Sequence, residues 1–183
     1  MSRYEKLTPE QMNPAQKRVH DQIVSGKRGN FGGPFQLLIR APEICSHAAA
    51  LGEHLRWGTS LDPRLSELAI CTTARFWRAQ YEWFAHAPLA VKAGVPEAAI
   101  EAIRTGGTPS FKADDERLVY RMCSEIFKNQ RMSDEAFAAG IKAFGEQGVV
   151  EIVALVGYYT LIGNTLNVFQ VELPAGAPLP FPE

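Results

Sequence analysis

Apolar residues recur along this chain at intervals of three and four, which places them on one face of a helix. Thr8-Pro9-Glu10-Gln11 reads as a capping box with proline in the first turn, and predicts a helix from there to about Ser25. The stretch 26–34, GKRGNFGGP, carries four glycines and a proline and predicts a loop. Pro42 opens a helix whose apolar stripe is Ile44, Ala48, Leu51 and Leu55, and Asp62 caps another through Leu65, Leu68, Ala69 and Thr72. Gly94 ends the next helix, and Pro96 starts a short one carrying Ile100 and Ile103. Further helices fit Asp114 to Asn129 and Ser133 to Phe144, and Gly148 precedes a long final one. From Pro174 onward the chain (PAGAPLPFPE) cannot continue a helix and is expected to lie extended, across a neighbouring subunit. No stretch alternates long enough for a sheet. The reading is all-α.

Composition narrows this further. A chain of 183 residues with 46% apolar and 21% charged residues is expected to form one folded domain over 1–183, with the proline-rich tail at 174–183. A net charge of −1 provides no field for nucleic acid or an anionic membrane. The three cysteines, Cys45, Cys71 and Cys123, are far apart and form no C-x-x-C, which fits a reducing compartment. The N-terminal residues lack the apolar run of a signal peptide, so a cytoplasmic location is expected. Val149 to Phe169 is apolar enough to span a bilayer, yet it contains Glu151, Asn164 and Asn167 and is interrupted by Gly157 and Gly163. A core or subunit-interface helix suits it better than a membrane span.

Candidate chemistry concentrates between Ser66 and Ala87. Glu82 and His86 stand four apart and share a helical face. Glu67 precedes them, and the midpoint between residues 67 and 86 falls at Phe76-Trp77. A chain reversal there makes two arms of about 14 Å each and brings Glu67 level with His86. No glycine or proline between Arg75 and Tyr81 marks the reversal.

The spacing of Glu67, Glu82 and His86, followed by A-x-x-A-G-V-P-E at residues 90–97, resembles the carboxymuconolactone decarboxylase and alkylhydroperoxidase D-like superfamily. GGPFQLLIRAPE at 32–43 is similar to the stretch that precedes the motif in its decarboxylase-like branch. The resemblance implies an all-helical bundle built on an antiparallel helical hairpin, assembled as a trimer or hexamer. It also implies a lyase acting on a small organic acid or lactone, as in aromatic compound catabolism. The peroxidase branch carries a C-x-x-C before its active histidine; here Ala79 and Glu82 occupy those positions. A thiol peroxidase needs an attacking thiolate and a resolving thiol, so an antioxidant role of that type is the weaker reading.

The remaining trio suits proton transfer without a cofactor. His86 can change charge near neutral pH, with Glu67 and Glu82 to hold or tune it. Arg40 and Arg75 are the candidate carboxylate clamps, and Phe31, Phe35, Tyr81 and Trp83 the candidate apolar walls. Cys71, one turn from Glu67, is a candidate site neighbour, although a small core residue is its plainer role. Glu82 with His86 also fits an ordinary surface pair. Their spacing would suit two metal ligands, but with His47 and His54 elsewhere there is no dense ligand cluster and no metal is expected. Pro88, inside the helix of His86, predicts a kink just beyond the histidine. A non-catalytic ligand-binding or assembly role for the fold is the alternative.

Overall fold

The computed structural model describes residues 3–182, and among them it contains helices and no strands. Eight helices follow in order: α1 (Pro14–Ser25), α2 (Phe35–Leu38), α3 (Pro42–Trp57), α4 (Pro63–Phe76), α5 (Gln80–Ala93), α6 (Glu97–Thr105), α7 (Asp114–Asn129) and α8 (Asp134–Val168). The first begins later than the capping box at Thr8 suggests. That box closes only a 3₁₀ turn, Pro9–Gln11, and the chain restarts at Asn13, whose side chain accepts from Gln16 N at 3.0 Å. Pro14 has no N–H to offer a preceding turn, so a helix cannot run continuously through it but can begin there.

α4 and α5 form the antiparallel hairpin, and α7 and α8 pack across α4. Nine residues of α4 are buried, Leu65 to Ala74 except Glu67, so this helix is the centre of the core. Burial on all sides rather than along one stripe explains why Thr72 and Thr73 return their hydroxyls to the Leu68 and Ala69 carbonyls, both at 2.8 Å. Arg64, at the start of α4, bridges to α7 through Asp115 at 2.8 Å and the buried Glu116 at 3.0 Å.

α8 is one long element with a single break. Gly145 adopts φ 69° and ψ 177°, so the two helices expected on either side of Gly148 meet three residues earlier. It is the one helix among the described residues long and apolar enough to cross a membrane, but 56% of its apolar window is buried inside the fold. Glu151 is buried within it and accepts from Ser60 N at 2.9 Å, Ser60 Oγ at 2.7 Å and Gln147 Nε2 at 2.8 Å. A core helix that ties down the loop before α4 accounts for that carboxylate.

The stripe read on α3 is only half internal. Ala48 and Leu55 are buried, whereas Ile44 and Leu51 are exposed, because α3 packs its other face on α1 and α8. Pro88 does not end α5, which runs to Ala93 and is capped by Gly94. Pro88 and Phe84 are both exposed, so the lost backbone bond falls on the solvent side, where helices tolerate it best.

The tail also departs from expectation. It folds back on its own subunit, with Phe181 only 1% exposed. Gln80 holds the Phe181 backbone from both sides, Phe181 N to Oε1 at 2.9 Å and Nε2 to Phe181 O at 2.7 Å. Arg104 donates to Pro180 O at 2.7 Å, and Arg78 donates to Pro182 O.

Candidate active site

The reversal between α4 and α5 needs no glycine because distant contacts impose it. Arg78 sits in the left-handed region, φ 49°, a position that ordinarily costs a non-glycine residue ~1–2 kcal/mol. Ala79 N closes α4 by donating to Ala74 O at 2.9 Å. The turn is then clamped by α8: Trp77 Nε1 donates to Thr160 Oγ1 at 2.9 Å, and Asn167 Nδ2 to Trp77 O at 2.7 Å. These partners lie 83 and 90 residues away in sequence.

The hairpin brings Glu67 and His86 together, as the equal arms predict. His86 Nδ1 lies 2.7 Å from Glu67 Oε2, and His86 Nε2 lies 3.3 Å from Glu82 Oε2. The imidazole therefore stands between two carboxyl groups, one from each arm. His86 is 6% and Glu82 4% exposed, which removes the reading of an ordinary surface pair. A carboxylate at Glu67 accepts the Nδ1 proton and leaves the Nε2 lone pair facing Glu82. The second contact is looser: Glu82 Oε2 is buried and has no aligned hydrogen bond. Burial pushes the Glu82 carboxyl up from its usual value, and His86, Arg56 and Arg28 oppose that shift. Tyr159 meets the imidazole edge-on, with ring centres 5.1 Å apart and an interplanar angle of 84°.

His86 and Glu82 line a cavity of about 180 Å³ together with Arg28, Phe35, Arg56, Tyr81, Tyr158 and Tyr159. Larger surface clefts exist, such as one of about 610 Å³ beside the tail, but it gathers no comparable set of ionisable groups. Tyr158 reaches the cavity because α3 has Gly52 beneath it; a Cβ there would overlap the phenol oxygen. Burial raises both tyrosines, Tyr158 to about 12 and Tyr159 well above its usual value, so each offers a phenol proton rather than a phenolate. Among the described residues no group of three or more His, Cys, Asp or Glu is arranged to hold a metal ion.

Of the other predicted residues, Phe35 and Tyr81 line the cavity. Arg40 does not. It lies at the exposed end of α2 and donates to Gln36 O at 2.6 Å and Glu5 O at 2.5 Å, tying down the N-terminal segment. Arg75 points away from the cavity, donating from Nε to Ile103 O at 3.1 Å and lying over the Phe181 ring. Trp83, next to Glu82 on α5 and so turned to a different side of the helix, packs edge-on against Phe181 at 5.2 Å. Cys71 is fully buried in the core, and burial, with Glu67 and Glu82 nearby, raises its thiol well above its usual value. Phe31 packs on His20 at 4.8 Å, outside the cavity.

Arg28, Arg56, Tyr158 and Tyr159 were not indicated by spacing. The available signals were weak: an arginine inside the glycine-rich loop, and two phenols inside an otherwise apolar run.

Residues 42–117, which span α3 through the start of α7, match the carboxymuconolactone decarboxylase family. The match covers less than half of the 183-residue chain. The matched region contains Glu67, Glu82, His86 and Arg56, whereas Arg28 and the α8 tyrosines lie outside it. A crystal structure of a cysteine-to-alanine variant of the debrominase Bmp8, in complex with 2,3,4-tribromopyrrole, superposes with a TM-score of 0.67. The superposition covers 95% of this chain and 91% of that one at 15% identity, and so establishes a shared fold. No curated protein matches the sequence.

Proposed function

We propose that this chain belongs to the carboxymuconolactone decarboxylase family and is a small-molecule enzyme of the proton-transfer type, a decarboxylase-like lyase acting on an organic acid or lactone. The observation that carries the reading is the buried imidazole held between Glu67 and Glu82 on one wall of the cavity. Losing carbon dioxide leaves the C–C bonding pair on the substrate, and that carbanion must take a proton. Glu82, pushed by burial toward its protonated form, is positioned to donate it. The proton that Glu82 gives up is replaced from solvent: His86 Nε2, left unprotonated by the tautomer that Glu67 fixes, takes up a water proton and passes it to Glu82 3.3 Å away.

A thiol mechanism finds less support, since Cys71 is buried with a raised thiol and Cys45 and Cys123 are also buried and free. The test is turnover of carboxylated lactones and unsaturated acids, followed by released carbon dioxide and by deuterium taken up from D₂O. His86→Ala should lower any activity found by about 10²–10⁴-fold while the helical circular dichroism is unchanged. An unaltered rate in that variant would refute the acid–base assignment.

Assembly into a homo-oligomer through α8 is part of the same reading. Val150, Val153, Leu161 and Val168 are exposed along α8, and no charged residue interrupts the helix after Glu151. A second copy of this face is the natural cover. Light scattering at the mass of one chain would contradict it.

A further inference from the structure

Four buried side-chain polar atoms lack an aligned hydrogen bond among the described residues, and two of them, Arg56 Nε and Glu82 Oε2, belong to residues lining the same cavity. Arg28, half-buried on the same cavity, also lacks a hydrogen-bonded acceptor: the charges near it act only through space. Other arginines of the molecule are used. Arg64 is paired with Asp115 and Glu116, Arg75 donates to Ile103 O, and Arg104 is paired with Glu101. The two cavity arginines are nevertheless held in place. Arg28 stacks over Phe35 at 4.4 Å, and Arg56 over Trp57 at 4.6 Å.

We propose that Arg28 and Arg56 together form a carboxylate-binding site, which grips an anionic oxygen pair of the bound molecule and presents the rest of it to Glu82 and His86. A planar guanidinium offers paired N–H donors that match a carboxylate, and stacking on an aromatic ring sets the plane before the ligand arrives. Two like charges on one cavity wall are mutually unfavourable, and Glu82 offsets them only through space; an anion hydrogen-bonded between them relieves this. The cavity, at about 180 Å³, is below the ~300–1,000 Å³ of sites for drug-sized molecules, which restricts the ligand to a small carboxylic acid. That the bound acid is also the substrate rests on the acid–base reading above. Anion recognition by the two arginines does not.

Benzoate and its neutral analogue benzamide separate these ideas, with binding to the full-length protein followed by calorimetry and by ligand-observed NMR. Saturable binding of benzoate and at least ~10-fold weaker binding of benzamide are expected, as for loss of a charge-assisted contact. Arg56→Met and Arg28→Met should each weaken benzoate by ~10-fold or more, with Arg56→Lys intermediate because it keeps charge but loses the fork. His86→Ala should still bind benzoate. Equal affinity for the two probes, no saturable benzoate binding by the wild type, or wild-type affinity in both arginine-to-methionine variants would overturn the proposal. If the arginine variants lose benzoate while His86→Ala leaves turnover untouched, the carboxylate site stands and the acid–base reading falls.

Discussion

Two arginine–aromatic clusters flank α5, and they differ in how their polar groups are used. On one side, Arg75, Arg104 and Gln80 surround Phe181 and Trp83, and each of the three polar side chains donates to a backbone carbonyl. On the other side, Arg28 and Arg56 stack on Phe35 and Trp57 but meet no acceptor, beside a Glu82 carboxyl whose contact with His86 is not an aligned hydrogen bond. The first cluster is finished by the fold; its polar groups are spent on holding the tail. The second stays incomplete until something else supplies an acceptor. Folding stability favours the first arrangement, since an unpartnered buried polar group costs ~1–3 kcal/mol. Chemistry needs the second.

The comparison is most easily broken by exchanging the losses. Phe181→Ala should destabilise the chain by ~3–5 kcal/mol, as for a large buried aromatic ring, while benzoate binding at permissive temperature stays unchanged. Arg56→Met should have the opposite profile, with stability within ~1 kcal/mol of the wild type because an unpaired partly buried charge is replaced by an apolar side chain. Urea denaturation of both variants checks this, and a larger loss in Arg56→Met than in Phe181→Ala would reverse the assignment of the two clusters.

A smaller effect concerns Glu82 and pH. Its carboxyl is raised above the usual 4.5 by burial, so the native state binds that proton more tightly than the unfolded chain. This favourable contribution is complete below about pH 4.5 and is lost as pH rises through the native value. Glu82→Gln should therefore gain stability relative to the wild type as the solution is taken from acid to neutral. Parallel stability curves for the two proteins would show that Glu82 titrates normally.

Much of the hairpin was legible in the residues themselves. Glu82 and His86 share a face by spacing, and Asp62 before Pro63 marks the start of α4, where the Asp62 side chain accepts from Arg64 N at 2.8 Å. The reversal itself was not, because Trp77 is held by Thr160 and Asn167, and the left-handed Arg78 beside it by Pro182, rather than by any local preference. The clamp was misread for a similar reason. Arg40 and Arg75 lie near the motif in sequence, yet each finds a carbonyl of its own. Arg28 and Arg56 come from a loop and a helix end that only the packing of α3 against α8 brings to one cavity. Spacing within a helix is readable from sequence; which side chain is left without a partner depends on every other element.

The central claim is that Glu67 orients His86 so that Nε2 works toward Glu82 and the cavity. Nitrogen-15 NMR of the His86 ring, recorded at a pH where the imidazole is neutral, tests it directly. The account predicts the proton on Nδ1, hydrogen-bonded to Glu67 at 2.7 Å, with Nε2 unprotonated, and a shift toward a tautomer mixture in Glu67→Gln. A wild-type ring protonated on Nε2, or a mixture that Glu67→Gln leaves unchanged, would contradict it.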